Sequence, residues 1–440
     1  MKEELVMKTL SNIYNTKEYK RSRIAYAMQC TFEYFVMLLV ADAFLANLLS
    51  NMGISDALTG IISSFISFAF LFQLMSIFLV NKIKNTKKTV IILNCFSQVL
   101  FMMMYLVPFM PFSKGIKTVL VVCVILFAYT TNYTVNGVLY KWANSFVEPT
   151  KRAEYSAGKE MVSLLSGIGF TLIIGHIIDR YNDIGNVEGG FLFIALAMLI
   201  LNICNFFSLM AIKKDSIAME METIEEIPSF AEVRKNTLGN KNFVSVVVMT
   251  VMWYTARYMT LGFLGIFKTK DLAISVGMVQ VINIAGQLAR FLISKPFGRF
   301  SDKTSFAIGI RWAFIIEALA YLACMFTAPK TWWCIVIYTV LYNISMAGSN
   351  QNSFNIVYSY VDSKYIVQAM AIKNSIGGIC GFLASLLGGK ILDLIQKRGN
   401  NFFGIHIYGQ QLLAAISLII LSMTVIYVHY VIEKQKIKVQ

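Results

Sequence analysis

Apolar residues occupy most of the chain in long runs that short polar segments separate. About twelve of these runs approach the roughly 20 residues that a helix needs to cross the hydrocarbon core of a bilayer. The runs are continuous rather than alternating, which predicts helices and not barrel strands, because backbone amides in hydrocarbon need partners within their own segment. The predicted spans are residues 24–49, 58–80, 90–109, 118–140, 157–178, 191–212, 243–267, 274–293, 306–326, 332–357, 370–392 and 412–431.

The composition indicates the same class of protein. Hydrophobic residues make up 57% of the 440 positions and charged residues 14%, whereas about a quarter of the residues in an ordinary soluble domain are charged. All seven cysteines lie inside predicted spans and form no CxxC pair, and the three histidines are far apart in the sequence. These spacings argue against disulfides and zinc. We therefore expect no metal and no cofactor.

The formal charge of +15 is distributed unevenly over the polar segments. With a cytoplasmic N-terminus, basic clusters such as those at 82–88 and 434–438 fall on the cytoplasmic side, and the opposite loops contain few cations. This is the positive-inside asymmetry. It predicts a multi-pass protein of the cell membrane with both termini cytoplasmic, and it argues against nucleic acid as a partner.

The longest polar segment divides the spans into two sets of six. It covers residues 213–241 and contains mixed charges and one proline. The predicted domains are a cytoplasmic segment at 1–23, a six-helix bundle at 24–212, a cytoplasmic linker at 213–241, a second six-helix bundle at 242–432 and a cytoplasmic tail at 433–440.

The two sets of spans contain a repeated pattern at an offset of 214 residues. Small residues recur every fourth position in the fifth and eleventh spans, and a lysine and an aspartate bracket both series. A step of four forms one ridge along a helix, which allows membrane helices to approach closely. The matched ends predict a duplicated six-helix unit. The paired positions are Lys159, Ser163, Gly167, Thr171, Gly175 and Asp179 with Lys373, Gly377, Gly381, Ser385, Gly389 and Asp393.

Repeated halves around a central site are typical of transporters, and the chain resembles the major facilitator superfamily over nearly its whole length. That family has the loop pattern G-x-x-x-D-[RK]-x-G-[RK]-[RK] after its second span and a looser copy after its eighth. The later copy here is "KPFGRFSDKTSF", a polar hinge between two apolar runs that supplies Gly298, Asp302 and Lys303 but lacks the second glycine. In the first copy, Asn81 replaces the aspartate and Lys82 follows it.

The resemblance implies an all-α membrane protein with about twelve transmembrane helices in two pseudo-symmetric six-helix bundles. It also implies that the first, fourth, seventh and tenth spans line a cavity. In the family the loop aspartate lies near the start of a helix from the other half, where the helix dipole favours an anion. Asp302 is therefore expected to latch the cytoplasmic ends of the halves, in a gate made of Gly298, Asp302, Lys303, Asn81 and Lys82.

Two acids in the first span are candidates for proton coupling. Glu33 and Asp42 are nine positions apart, which places them on opposite sides of a continuous helix. Glu33 shares its face with Gln29 and is the first candidate, and Asp42 is the second. An acid in a membrane cavity can exchange a proton, but a structural ion pair between Glu33 and Arg257 is an open alternative. For Glu317, in the ninth span, the sequence indicates no role beyond a polar contact.

Amide and aromatic side chains at helical spacing are the candidates for solute binding. Amides offer donors and acceptors, and rings stack on apolar faces, which suits a neutral or weakly anionic polar solute. The alternative is that the amides only join helices to one another. The candidates are Gln29, Tyr129, Asn132, Asn136, Trp253, Tyr254, Arg257, Gln280, Asn283, Gln287, Asn343 and Asn350.

These features predict a secondary active transporter of a small polar organic solute, with a sugar or glycoside favoured, working by proton-coupled symport as a monomer in the lipid bilayer. The 33 phenylalanines and 23 methionines leave open a proton-driven exporter of amphipathic compounds, because such soft surfaces adapt to varied ligands. A membrane receptor or scaffold that does not transport is a further alternative. Without a P-loop, HExxH or GxSxG pattern, the sequence does not favour an ATP-driven pump or an enzyme.

Overall fold

The computed structural model describes residues 14–80, 85–148, 152–214, 230–402 and 405–435. Almost all of these residues are helical. The longer helices are α1 Lys17–Leu39, α2 Asp42–Asn51, α3 Asp56–Ser63, α4 Phe65–Val80, α5 Thr86–Met103, α6 Lys114–Asn144, α7 Arg152–Asp183, α8 Val187–Ala211, α9 Phe230–Asn236, α10 Lys241–Thr260, α11 Val276–Lys303, α12 Phe306–Met325, α13 Trp333–Tyr358, α14 Ile366–Lys397 and α15 Gly409–Tyr427.

Short elements extend or connect these helices. Two antiparallel strands, β1 Asn401–Phe402 and β2 Ile405–His406, precede α15. The other short elements are helical turns at Val107–Phe109, Leu261–Phe263, Leu264–Ile266, Pro329–Thr331 and Ser363–Tyr365, and π-helical turns at Phe267–Asp271 and Val428–Ile432.

Each of the twelve predicted spans corresponds to a helix or a pair of helices. Among the described residues, eight helices are long and apolar enough to cross a bilayer, and the bent pair of α1 and α2 makes nine. The remaining three predicted spans are α5, α10 and α13. These helices have the length to span, but their polar side chains lower the mean hydropathy. The prediction of an all-α membrane protein is confirmed.

The chain forms two compact units. The N-terminal unit contains residues 1–40 and 75–227, and the C-terminal unit contains residues 41–74 and 228–440. In the N-terminal unit, α1 packs on α7 and α8, and α5 packs on α6 and α8. In the C-terminal unit, α10 packs on α14 and α15, and α12 packs on α13 and α15. The first span packs on the fifth and sixth, and the seventh span packs on the eleventh and twelfth. Likewise, the third span packs on the fourth and sixth, and the ninth packs on the tenth and twelfth. The two units therefore repeat the same packing at an interval of six spans.

Small residues of α7 and α14 lie where α7 packs on α1 and where α14 packs on α10. In α7, a Cβ on Gly167 would lie 2.6 Å from the ring of Tyr34 in α1. In α14, a Cβ on Gly381 would lie 2.6 Å from the ring of Tyr258 in α10. The ridge therefore allows close approach in both units, as expected for small residues at a membrane helix contact.

The structure differs from the sequence expectation at two places. The first span is not one helix, because α1 ends at Leu39 and α2 begins at Asp42 after a bend of 44°. The prediction of a polar hinge between the two apolar runs is also wrong, since α11 continues through Pro296 to Lys303. A proline removes only one backbone donor, and a basic residue in the last turn stabilises the helix end. Ser305 then caps α12 by accepting from the Ile308 amide at 3.1 Å.

Candidate functional site

The carboxylate of Glu33 lies among amide side chains in the N-terminal unit. Gln29 Nε2 donates to Glu33 Oε2 and Asn132 Nδ2 donates to Oε1, both at 2.6 Å. Two weaker contacts come from Asn94 Nδ2 and Asn136 Nδ2, each at 3.4 Å. We call these five residues the amide ring. Among the described residues, no cation lies within 4 Å of the Glu33 carboxylate.

Three helices position the amide ring. α1 brings Gln29 and Glu33 together because they are one turn apart, and α6 does the same for its two asparagines. α5 contributes Asn94, which is fully buried and accepts at Oδ1 from Asn205 Nδ2 of α8 at 2.7 Å. Glu33 itself is partly buried. The ring therefore holds one acid with neutral partners from several directions, and the sequence analysis had not singled out Asn94 or Asn205.

A lysine approaches the amide ring through two intermediate side chains. Lys159 of α7 lies with Nζ 4.4 Å from the ring centre of Tyr26 and 3.3 Å from Cys30 Sγ. Cys30 Sγ in turn donates to Gln29 Oε1 at 3.4 Å. A chain of polar contacts therefore runs from Lys159 through Cys30 and Gln29 to Glu33. The other predicted residue of this unit, Tyr129, is also buried.

Tyr129 packs in the core of the N-terminal unit. Its ring meets that of Phe101 edge-on at 4.9 Å between ring centres, and the side chain is 4% exposed. The ring contact joins α6 to α5. Of the predicted residues in this unit, the hydrogen bonds of the Glu33 carboxylate bring together Gln29, Glu33, Asn132 and Asn136.

Arginine and aromatic side chains form a second cluster, in the C-terminal unit. The Arg257 guanidinium carbon lies 5.8 Å from the ring centre of Trp253, 5.6 Å from that of Tyr258 and 5.7 Å from that of Tyr342. Tyr254 meets Trp253 edge-on at 5.3 Å. These distances suit cation–π attraction. We call Arg257, Trp253, Tyr258 and Tyr342 the arginine cluster. Two of its four members, Tyr258 and Tyr342, were outside the predicted set.

Glu317, for which the sequence indicated no role beyond a polar contact, binds a member of the arginine cluster. It is fully buried in α12. It accepts from Trp253 Nε1 at 2.9 Å, from Ser345 Oγ at 3.2 Å and from Tyr321 OH at 3.4 Å. Its three partners come from α10, α13 and its own helix, and the sequence alone does not show which helices pack together. The only signal in the sequence was the presence of an acid in an apolar span.

The three predicted amide residues of α11 lie in different environments. Gln280 is 5% exposed, and Gln287 keeps a buried Oε1 without a hydrogen-bond partner. Asn283 donates to Asp42 Oδ2 at 2.8 Å. Of these three, Asn283 therefore contacts α2.

The two asparagines predicted on α13 differ in environment. Asn343 Nδ2 donates to the Thr339 carbonyl of its own helix at 2.8 Å. A Cβ on Gly286 of α11 would also crowd the Asn343 amide, so the two helices approach closely there. Asn350 is exposed.

Asp42 lies at the break of the first span and not on the face of Glu33. Its φ is 46°, a left-handed conformation that Asp tolerates better than most residues. Asp42 Oδ2 accepts from Lys268 Nζ at 2.6 Å, and Lys268 is 5% exposed. A buried cation and an amide from α11 thus hold this acid.

A second ion pair lies near this break. Lys270 Nζ contacts both oxygens of Asp56, at 2.8 and 2.9 Å, and Gln396 Nε2 donates to the same carboxylate at 2.6 Å. Asp271 follows, beyond the predicted end of the seventh span, and accepts from Gln410 Nε2 at 3.0 Å. Burial, together with the charge of Asp56, raises the pKa of Asp271 to about 6.

Three of the five predicted gate residues, Gly298, Asp302 and Lys303, lie in the last turns of α11. Gly298 is buried, and a Cβ there would lie 3.2 Å from Gln351 Nε2. Asp302 and Lys303 are exposed. Asn81 and Lys82 lie outside the described residues.

Comparison with known proteins adds a family and a set of related folds. Residues 90–364 match the family model described as MFS/sugar transport protein. A mutant of the nucleoside transporter NupG superimposes with a TM-score of 0.71 at 11% identity, covering 93% of this chain and 99% of that one. A bacterial homologue of the human lysosomal transporter Spinster gives 0.65 at 13% identity, covering 94% and 96%.

A bacterial homologue of the iron transporter ferroportin gives a TM-score of 0.64 at 12% identity, covering 94% of this chain and 98% of that one. No curated protein sequence matches the chain significantly. At these identities the structural likenesses show a shared fold, while the family model covers more than half of the chain. The chain therefore belongs to the MFS/sugar transport protein family of the major facilitator superfamily.

Proposed function

We propose that this transporter moves a small polar organic solute, with sugars and glycosides as the favoured class, by proton-coupled symport. The observation that carries the proposal is the amide ring around Glu33. Placing an ionisable group inside a membrane costs about 2.5 to 3.5 kcal/mol on insertion scales. An acid kept there with only neutral partners suggests a role that needs the acid itself.

Proton exchange at Glu33 would not require an ion pair to break within its unit. The two strong contacts come from neutral amides that donate at 2.6 Å, so protonation of the carboxyl group would separate no opposite charge there. The second candidate, Asp42, differs because its ion pair with Lys268 would have to open first. This contrast supports Glu33 as the coupling acid and leaves Asp42 as the reserve candidate.

The class of solute follows from the polar groups that surround these positions. Amides can serve the hydroxyls of a sugar as donors and as acceptors, and aromatic rings can cover its apolar faces. The family model is described by sugar transport. A nucleoside, the cargo of the structurally similar transporter NupG, is itself a glycoside.

We further propose that Asp302 belongs to a cytoplasmic gate with Gly298, Lys303, Asn81 and Lys82. Asp302 lies at the C-terminal end of its own helix, where the helix dipole disfavours an anion. An acid in that position gains most from a partner elsewhere. In Asp302→Asn, both the transport rate and the cytoplasmic accessibility of engineered cysteines should change, and no change in either would end this assignment.

Proteoliposomes that contain the purified protein test the proposed function. An imposed inward proton gradient should drive accumulation of a labelled neutral or acidic glycoside, and Glu33→Gln should abolish the gradient dependence. Glu188→Gln, an exposed acid of the same unit, is the matched control and should behave as the unaltered protein. Extrusion of a hydrophobic dye with no glycoside uptake would instead identify an exporter of amphipathic compounds.

A further inference from the structure

Two helices of the N-terminal unit bury further amide side chains next to the amide ring. Asn94 and Gln98 lie one turn apart on α5, and Asn202 and Asn205 lie on one face of α8. Each of the four is at most 8% exposed. Asn205 donates to Asn94, and Asn94 in turn contacts Glu33 Oε2. We call these four residues of α5 and α8 the amide layer, and it adjoins the proposed coupling acid.

The two helices run antiparallel along the amide layer. At the start of α5, Lys87 Nζ donates at 2.6 Å to the carbonyl of Ile212, just past the end of α8. The bond between Asn94 and Asn205 lies seven positions further along α5 and seven positions earlier in α8. The other two amides of the layer follow after about one more turn of each helix. They therefore face each other across the contact between α5 and α8.

Four polar atoms of the amide layer have no hydrogen-bond partner among the described residues. They are Oε1 and Nε2 of Gln98 and the Oδ1 atoms of Asn202 and Asn205. Buried polar groups are normally hydrogen-bonded, so these atoms require a partner from outside the chain. A buried water molecule makes about three hydrogen bonds and both donates and accepts. It therefore suits a set of three acceptor oxygens and one N–H donor.

The α5 and α8 side of Glu33 has no charged residue that could exchange a proton with it. After Lys88, α5 contains no charged residue, and α8 contains none after Glu188. Titratable groups reach the amide ring from the other side, where Cys30 contacts both Gln29 and Lys159. Proton transfer over more than one hydrogen bond uses side chains that titrate or chains of water. On the side of the amide layer, only water can serve.

We infer that the amide layer binds buried water and that this water carries the coupled proton to and from Glu33. The inference rests on the proposed function and names the route of its proton. An excess proton arrives as hydronium; one of its O–H bonds breaks as the O–H bond of the carboxyl group forms, and neutral water remains. The reverse step releases the proton. Gln98 and Asn202 hold the water, and Asn94 positions it beside Glu33 Oε2.

Radiolytic footprinting of the purified full-length protein in detergent tests for the water directly. X-rays convert bound water into hydroxyl radicals, which oxidise the side chains beside it even where bulk solvent has no access. Met198 lies one turn before Asn202 on α8 and is 1% exposed, so we expect it to be oxidised. Met249 of α10, which is 0% exposed, is the matched control and should be oxidised several-fold more slowly. Equal rates for the two methionines in the unaltered protein overturn the inference.

The double variant Gln98→Leu/Asn202→Leu tests whether this water serves Glu33. Its Met198 should be oxidised as slowly as the control methionine. In proteoliposomes, uptake of a labelled glycoside driven by a proton gradient should slow by about a hundredfold, the lower end of what a positioned proton carrier contributes. Counterflow exchange of the same glycoside needs no net proton movement and should continue, which shows that the variant is folded.

Ser208→Ala is the matched control variant on α8, because its hydroxyl is buried but already donates to the Cys204 carbonyl. It should leave gradient-driven uptake and counterflow unchanged. Gradient-driven uptake by the double variant at the rate of the unaltered protein overturns the inference, while the proposed function stands. If a proton gradient drives no uptake by the unaltered protein, the proposed function falls and the inference with it.

Discussion

Substitution of Glu317 should destabilise the C-terminal unit, and the loss of stability should depend on whether the substituted side chain keeps an acceptor at the position of Oε2. Glu317 is fully buried, and its Oε2 accepts from both Trp253 and Ser345, while Oε1 accepts only the long contact from Tyr321. In Glu317→Ala, the indole N–H remains buried without an acceptor. Breaking a buried charged network of this kind costs about 3–5 kcal/mol.

Glu317→Gln should cost much less. A glutamine whose carbonyl oxygen takes the place of Oε2 keeps the two shorter hydrogen bonds and loses only the one of 3.4 Å. We expect a loss of about 1 kcal/mol, which is the net contribution of an ordinary hydrogen bond. Tyr321→Phe, which removes that same contact from the other side, should cost about as much.

Denaturant unfolding in detergent, followed by tryptophan fluorescence, measures these differences because Trp253 reports directly on the site. The exposed Glu188→Gln variant controls for loss of a negative charge. The reasoning is refuted if the alanine and glutamine variants of Glu317 lose the same stability. Equal losses would mean that the charge, and not the hydrogen bonds to Oε2, holds the cluster together.

Three further predictions concern other contacts of the C-terminal unit. Asp271 has a pKa of about 6 in the fold against 3.8 normally, so the folded state binds this proton more tightly and stability should fall as pH rises between these values. Asp271→Asn should flatten that part of a plot of stability against pH, and an unchanged slope would contradict the assignment. Asp42→Asn keeps the left-handed backbone but leaves buried Lys268 unpaired, so unfolding titrations should show a loss of about 3 kcal/mol, and none if the ion pair is incidental. Gly381→Ala places a Cβ against the Tyr258 ring, and melting curves should reveal a loss of about 1–3 kcal/mol from overpacking, whereas a gain would mean that α10 and α14 are not closely packed.

The spans were predictable because bilayer thickness and backbone hydrogen bonding impose a simple pattern on sequence. The repeat was visible for a similar reason, since close helix contacts need small residues at fixed spacing. Gly167 and Gly381 were placed on their ridges from sequence alone, and they face α1 and α10 respectively. Four of the five residues of the amide ring were also foreseen, because Gln29 and Glu33 share one face of α1 and Asn132 and Asn136 share one face of α6.

Features that depend on distant parts of the chain were not predictable. The break at Asp42 is stabilised by Lys268, 226 residues away, and a hydropathy pattern shows no such pairing. The same limit hid the role of Glu317, whose partners Trp253 and Ser345 lie on other helices. The segment that contains Pro296 was expected to be a hinge for a different reason: a proline marks a possible helix end, but the helix does not have to end there.

The central claim, that Glu33 carries the coupled proton, is tested most directly by recording proton entry during transport. Proteoliposomes loaded with a pH-sensitive dye are given an acidic or neutral glycoside that the protein binds, with no gradient imposed. The unaltered protein should acidify the lumen as solute enters, while Glu33→Gln should exchange labelled solute across the membrane and move no protons. Solute-dependent acidification by Glu33→Gln equal to that of the unaltered protein would contradict the account.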